Sequence, residues 1–238
     1  MLHEVFRCTL DFILPQSCLV CHKEIDGPPV CHDCLNLIPV VSSPRCPVCG
    51  RPTRRVRSVR AIPRCRWCRH ETDLDRGRSW TLFVPPLDRI VHHFKYRQGL
   101  NLGRLLGLGM ALVMRYDPIL ARSDLIVPVP LFWLKKMRRG YNQAQILSAV
   151  VSRETGVPVC DVLRRIRFTR TQTRLPDHRR CDNVRGAFRL RRSADVAGKK
   201  ILLVDDVMTT GATIRECASV LKDKGADRVY SLVAAITP

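Results

Sequence analysis

Ile201-Leu202-Leu203-Val204-Asp205-Asp206-Val207-Met208-Thr209-Thr210-Gly211-Ala212-Thr213 is the stretch that decides how this chain is read. The apolar run from Ile201 to Val204 lacks alternation, which predicts a parallel strand covered on both faces. Asp205 and Asp206 then stand at the carboxyl end of that strand, the edge at which open α/β sheets bind ligands. The small residues Thr209, Thr210, Gly211, Ala212 and Thr213 can wrap backbone N–H groups around a phosphate, with a helix opening near Thr213 to add its free amides. Carboxylates repel a phosphate, so the two acids must serve another part of the ligand. Vicinal sugar hydroxyls donate hydrogen bonds to carboxylates, and ribose 5-phosphate is the simplest ligand carrying both groups.

The segment resembles the PRPP-binding motif of type I phosphoribosyltransferases, in which two acids contact the ribose hydroxyls and the following loop holds the 5-phosphate. An ordinary strand-turn-helix with a solvated Asp-Asp accounts for an acid or a glycine but not for the whole ordered string. No G-x-x-x-x-G-K-[ST] precedes the acids, which removes the P-loop alternative.

Net charge is +20, from 41 basic and 21 acidic residues, so a polyanionic partner is expected: nucleic acid or an anionic membrane face. The charge is clustered. Eight arginines and no acid fall between Arg51 and Arg69, and eleven arginines face only Asp177 and Asp182 between Arg164 and Arg192. A merely solvated face, set by the arginine usage of the organism, is the plainer alternative. No apolar run approaches the ~20 residues that span a bilayer, and Glu4, Arg7 and Asp11 interrupt the first residues, so a cytoplasmic protein is expected.

Eight of the twelve cysteines form four C-x-x-C pairs: Cys18/Cys21, Cys31/Cys34, Cys46/Cys49 and Cys65/Cys68. In a cytosolic chain such pairs mean metal rather than disulfides, and one redox dithiol would explain one pair, not four. Each pair aims two thiolates at a tetrahedral ion, so one or two structural zinc ions are expected, closed to catalysis. Consecutive pairing gives Cys18, Cys21, Cys31 and Cys34 as one set and Cys46, Cys49, Cys65 and Cys68 as the other; spacing alone leaves an interleaved pairing open. Cys8, Cys160, Cys181 and Cys217 are expected to be buried apolar residues, and His22, His32 and His70 to lie on the surface.

Two domains follow: a double zinc-ribbon module over residues 1–75, and an α/β domain with a parallel sheet over residues 79–238. In the second, strands are expected at Trp80–Val84, Leu125–Val129, Val157–Leu163, Ile201–Val204 and Arg228–Ile236. Helices are expected at Leu87–Arg97, Leu102–Tyr116 with Leu105, Leu106, Leu112 and Val113 inward, Asn142–Glu154 and Thr213–Lys224. Lys135–Tyr141 reads as a basic loop, and Arg164–Arg189 as a long loop of functional type.

Cysteine ribbons followed by this domain resemble the ComF family of competence proteins. Phe94-Lys95-Tyr96, Ile126-Val127-Pro128-Val129-Pro130, Arg138-Arg139-Gly140-Tyr141-Asn142-Gln143, and Gln172 and Asn183 flanking Arg179 carry the resemblance, over roughly Cys18 to Thr237. It implies a role in natural transformation at the cytoplasmic side of the membrane, handling single-stranded DNA beside a DNA-uptake helicase or membrane channel. A single strand calls for a positive groove with aromatic platforms; Trp67, Trp80, Phe94, Tyr96, Trp133 and Tyr141 are candidates, with at least half expected in the core. The resemblance also implies PRPP-site roles. Asp205 and Asp206 would hold the ribose and help Mg²⁺, residues 209–213 the 5-phosphate, and Arg138, Arg139 and Gly140 the pyrophosphate. Arg170, Arg174 or Arg179 would neutralise the leaving group in a type I phosphoribosyltransferase fold. An active salvage phosphoribosyltransferase and a PRPP-sensing DNA-binding regulator are the alternatives, and whether the site turns over stays open.

Overall fold

The computed structural model describes residues 17–53, 62–69, 72–96, 99–167, 184–192 and 194–238. Its centre is a four-stranded, all-parallel sheet of β1 (Arg76–Leu82), β2 (Leu125–Pro128), β5 (Lys200–Met208) and β6 (Arg228–Ile236), in the order β1-β6-β5-β2. A separate antiparallel hairpin joins β3 (Leu163–Arg165) to β4 (Phe188–Leu190). Strands β5 and β6 are central because both of their faces are apolar: Ile201 and Leu203 point to one side, Leu202 and Val204 to the other, all fully buried.

One face carries α2 (Leu87–Tyr96), α3 (Gly99–Tyr116) and α5 (Gln143–Thr155); the other carries α6 (Ala212–Lys222) and the β3–β4 hairpin. In α2, Leu87, Ile90, Val91 and Phe94 are buried at helical spacing. In α3 the inward stripe is Leu102, Leu106, Met110 and Met114, and Leu112 is exposed instead. The difference comes from glycine. Gly103 and Gly107 create a second buried face against α5, where a Cβ would stand 2.4 Å from Ile146 and 2.6 Å from Val150. Hydrophobic periodicity has no view of a face made of missing side chains.

Four other boundaries moved. β1 begins at Arg76 rather than Trp80, because Arg76 and Arg78 turn to Asp117 and hide a strand behind two charges. Lys135–Arg139 is not a loop but part of α4 (Trp133–Arg139), which buries no residue and so shows no apolar stripe; Gly140, in the left-handed region at φ 79°, ends it. Val157–Leu163 is not a strand: Val159 makes an isolated bridge to Ile126, and pairing starts at Leu163. β5 runs on past Val204 to Met208, so the two acids lie inside the strand. The ends of the expected loop, Leu163–Arg165 and Phe188–Leu190, form the hairpin, while residues 168–183 lie outside the described residues.

The cysteine-rich part contains α1 (His32–Asn36) and a 3₁₀ turn at Arg66–Cys68. It closes the open edge of β1: Val41 N–H donates to the Trp80 carbonyl at 3.1 Å and Leu82 N–H to the Pro39 carbonyl at 2.9 Å. Its two halves meet opposite faces of the sheet. Cys18, Val30, Cys34 and Ile38 pack with the α2–α3 side, whereas Cys46, Val48, Cys49 and Cys68 pack with the α6 side. Cys217 is buried as expected, but Cys160 is exposed, since its residue lies at the end of that single bridge rather than in a strand; Cys8 and Cys181 lie outside the described residues. Among the described residues no helix is long and apolar enough to cross a membrane.

Candidate ribose-phosphate and metal sites

The carboxyl edge of the sheet holds a cavity of about 170 Å³. Asp205, Asp206 and Val207 form its floor, Thr213 enters from the first turn of α6, and Val129 to Leu131 supply the wall after β2. Four cations complete it from three elements: Lys95 at the end of α2, Lys135 and Arg139 on α4, and Arg165 on β3. Lys95 Nζ lies 3.0 Å from Asp206 Oδ2. Arg139 Nη1 donates to Gln143 Oε1 at 3.0 Å and its guanidinium stands 5.4 Å from the Tyr96 ring centroid. Asn142 caps α5, accepting from the Ala144 N–H at 3.2 Å and donating to the Val129 carbonyl at 3.1 Å, so one side chain ties helix start to cavity wall.

Asp205 keeps some exposure as a residue, yet burial of its carboxyl, and then the charge of Asp206 beside it, push its pKa up to about 8. The Asp206 amide, Lys95 and Arg165 oppose that rise without cancelling it. Lys135 is brought down to about 8, by burial first and then by Arg165, Arg139 and Lys95. Burial also lowers Arg165 below the ordinary guanidinium value. Four cations against two acids, one of them largely neutral at pH 7, make a cavity suited to a polyanion that also offers hydroxyl donors.

Beyond the strand, Thr209 to Gly211 form the turn into α6. Gly211 adopts φ 79°, a left-handed value that L side chains rarely take, and Thr210 Oγ1 accepts from the Ala212 N–H at 3.3 Å. Of the residues read as phosphate-binding, Asp205, Asp206, Thr213 and Arg139 line the cavity. Thr209, Thr210, Gly211 and Ala212 adjoin it through the chain, whereas Arg138 and Gly140 are exposed and take no part in its lining. The α4 helix explains this: with Lys135 and Arg139 one turn apart on the cavity side, Arg138 is carried away from it. Arg170, Arg174 and Arg179 lie outside the described residues, as do Gln172 and Asn183. Lys95, Lys135 and Arg165 escaped the sequence reading as site residues; only Lys95, within Phe94-Lys95-Tyr96, carried a signal.

A second cavity of about 220 Å³ opens beside the first and shares Pro130, Leu131, Asn142 and Arg165 with it. Trp133, Lys136, Arg164 and Arg191 line it, together with Asp161, which pairs with Arg191 at 3.0 Å. Of the six candidate platforms only Phe94 is buried. Trp67, Trp80 and Tyr141 are half-buried, and Trp80 and Tyr141 pack with Phe94 against the α2–α3 side of the core, so half of the six serve the core; Trp133 and Tyr96 are 58% and 53% exposed.

Consecutive pairing of the cysteines is the one the structure adopts. Cys18, Cys21, Cys31 and Cys34 bring their sulfurs within 4.8 Å of one another, and so do Cys46, Cys49, Cys65 and Cys68. Cys21 and Cys31 stand 3.7 Å apart and Cys49 and Cys65 3.5 Å, close to the ~3.8 Å edge of a tetrahedron with Zn–S bonds of about 2.3 Å. Both donor sets therefore fit structural zinc. His22 and His32 are exposed, as expected, and His70 lies outside the described residues.

Residues 9–70 match the double zinc ribbon domain and residues 137–236 the phosphoribosyl transferase domain. Competence protein F of Haemophilus influenzae is 28% identical over 220 residues, covering 84% of this chain and 93% of that protein. DNA utilization protein YhgH of Escherichia coli K12 is 34% identical over 201 residues, covering 77% of this chain and 86% of that protein. Among solved structures, the glutamine PRPP amidotransferase of B. subtilis, complexed with ADP and GMP, is similar over 57% of this chain and 27% of its own, at 23% identity and a TM-score of 0.39. With its paired cysteine clusters, its parallel sheet and relatives matched over most of their length, the chain belongs to the ComF family of competence proteins.

Proposed function

We propose that this chain binds PRPP or a related ribose phosphate and handles single-stranded DNA in the uptake or use of DNA. The observation that carries the reading is the cavity itself: two adjacent acids on β5, a phosphate-type loop immediately after them, and four cations converging from α2, α4 and β3. Asp205 and Asp206 serve the ribose hydroxyls and, as hard oxygen donors, a Mg²⁺ held with the pyrophosphate. Residues 209–213 take the 5-phosphate, and Lys95, Lys135, Arg139 and Arg165 the pyrophosphate end. The names of the relatives, competence protein F and DNA utilization protein, supply the process.

The second cavity supports the DNA half of the reading, because Trp133 offers an exposed ring for stacking among Lys136, Arg164 and Arg191. Salvage of a free base is less well served: among the described residues the lining of the first cavity contains no aromatic side chain to cover a base.

Two titrations test these halves. Ribose 5-phosphate should bind roughly tenfold or more tightly than 2-deoxyribose 5-phosphate, since a hydroxyl bonded to a charged acid is lost. Equal affinities refute the assignment of the acids to the diol. Single-stranded DNA affinity should fall with salt with a log–log slope near about −2, from three phosphate contacts by Lys136, Arg164 and Arg191. Salt-independent binding, or none, refutes the DNA reading.

A further inference from the structure

The second cysteine cluster is fastened to the phosphate loop through one buried guanidinium. Arg51 follows Cys49 and Gly50 at the end of the knuckle and is only 5% exposed, and its own carbonyl accepts from the Cys46 N–H at 2.7 Å. Its Nη2 donates to the carbonyl of Thr209, the first residue of the loop. Its Nη1 donates to the carbonyls of Thr237 and Pro238, the latter at 3.2 Å, just past β6. The same guanidinium stands 5.9 Å from the ring centroid of Trp67, which with Arg66 lies between the ligand-type Cys65 and Cys68 and which Arg66 approaches at 4.6 Å. A second tie runs the other way: Arg215, in the first turn of α6, donates from Nη1 to the Trp67 carbonyl at 3.5 Å.

Because a peptide unit is planar, fixing the Thr209 carbonyl also fixes the Thr210 N–H that shares its plane, at the point where the loop presents its amides. Seven backbone or ring contacts therefore converge on Arg51 and Trp67, whose positions the second cluster sets. Among the described residues the first cluster has no such hydrogen bond to the loop, and it packs across the sheet against the α2–α3 side. We propose that Arg51 is a positioning residue for the ribose-phosphate site, and that metal at Cys46, Cys49, Cys65 and Cys68 sets the affinity of the phosphate loop by holding Arg51 and Trp67 in place. The proposal rests on the ribose-phosphate reading of that loop.

The test uses the full zinc-loaded chain, ribose 5-phosphate as the probe, and two readouts: calorimetric affinity and hydrogen exchange at residues 210–213. Arg51→Met keeps the stem and removes the fork, and Arg51→Lys keeps the charge but cannot span three carbonyls. With zinc content unchanged, both variants should bind roughly tenfold more weakly, as expected for lost charge-assisted bonds, and their 210–213 amides should exchange faster. Cys65→Ser should weaken binding as well, but should add little in the Arg51→Met background, because both act through one contact. Wild-type affinity in both Arg51 variants, or additive losses with Cys65→Ser, overturns the proposal. Should the wild-type chain fail to bind ribose 5-phosphate, the functional reading falls, and exchange decides this proposal alone: protection at 210–213 unchanged in both Arg51 variants overturns it.

Discussion

Asp205→Asn should make the protein more stable near neutral pH, by an amount that grows with pH in a calculable way. Burial, with Asp206 as neighbour, raises the Asp205 carboxyl from 3.8 to about 8 in the folded chain. Between those values the folded state holds one proton that the unfolded state has lost. The stability contributed by this raised group is complete below the unfolded value and falls as pH climbs through the folded one. The slope is then close to about −1.4 kcal/mol per pH unit, fixed by the proton count rather than by the size of the shift. From pH 5 to pH 7 the wild type should lose about 2.7 kcal/mol relative to Asp205→Asn, whose amide is neutral throughout and nearly the same shape. Urea unfolding of both proteins at pH 5, 6 and 7, in zinc-saturated buffer, measures this, and the pH dependence of zinc binding cancels in the difference. Parallel stability curves would show Asp205 ionised in the folded chain and refute the reasoning. A gain in stability on removing a site acid would be the usual signature of a ligand site held at a cost to the fold.

Other outcomes follow from single contacts. If Asp205 is largely neutral at pH 7 in the free site, Mg–PRPP binding should release close to one proton, seen as a dependence of calorimetric heat on buffer ionisation enthalpy and absent in Asp205→Asn. Asp117 is 4% exposed and accepts from Arg76 at 2.9 Å and Arg78 at 2.6 Å; although its burial opposes ionisation, the bonds from Arg76 and the charges of both arginines hold its pKa below the usual value. Asp117→Ala leaves the buried Arg78 unpaired and should cost about 3–5 kcal/mol in urea unfolding at pH 7; a loss below about 1 kcal/mol contradicts it. Gly107→Leu should separate α3 from α5, because even a Cβ would stand 2.6 Å from Val150, and should lower the melting temperature by roughly 4 °C or more, from at least ~2 kcal/mol of overpacking. Chelation should release two zinc ions per chain and expose the thiols of both clusters; release of a single ion contradicts the two-cluster geometry.

What was legible in the sequence divides along physical lines. Strands β5 and β6 were readable because a run apolar on both faces has few other uses, and Arg228–Ile236 matches residue for residue. The two cysteine sets were readable because four pairs at one spacing answer to tetrahedral chemistry. Asp205 and Asp206 were readable from order alone, acids before a small hydroxyl loop. Of the four cations only Arg139 was, through the Arg138-Arg139-Gly140 string. Lys135 and Arg165 reach the cavity from a helix with no buried face and from a three-residue hairpin strand, and long basic side chains among 41 carry no positional pattern. Lys135–Arg139 looked like a loop for the same reason, with Gly140 as the only sign of a helix end. Arg51 was counted simply as one arginine of a basic run; nothing local to it announces carbonyl partners 158 and 186 residues away.

The central claim is that Asp205, Asp206 and the loop after them form a ribose-phosphate site. Calorimetric titration of PRPP with Mg²⁺ into the zinc-loaded wild type and into Asp205→Asn with Asp206→Asn tests it most directly. Saturable one-to-one binding is expected in the wild type, weakened roughly a hundredfold in the double variant as two sets of charge-assisted bonds to the ribose are lost. Equal binding by the two proteins, or none by the wild type, contradicts it.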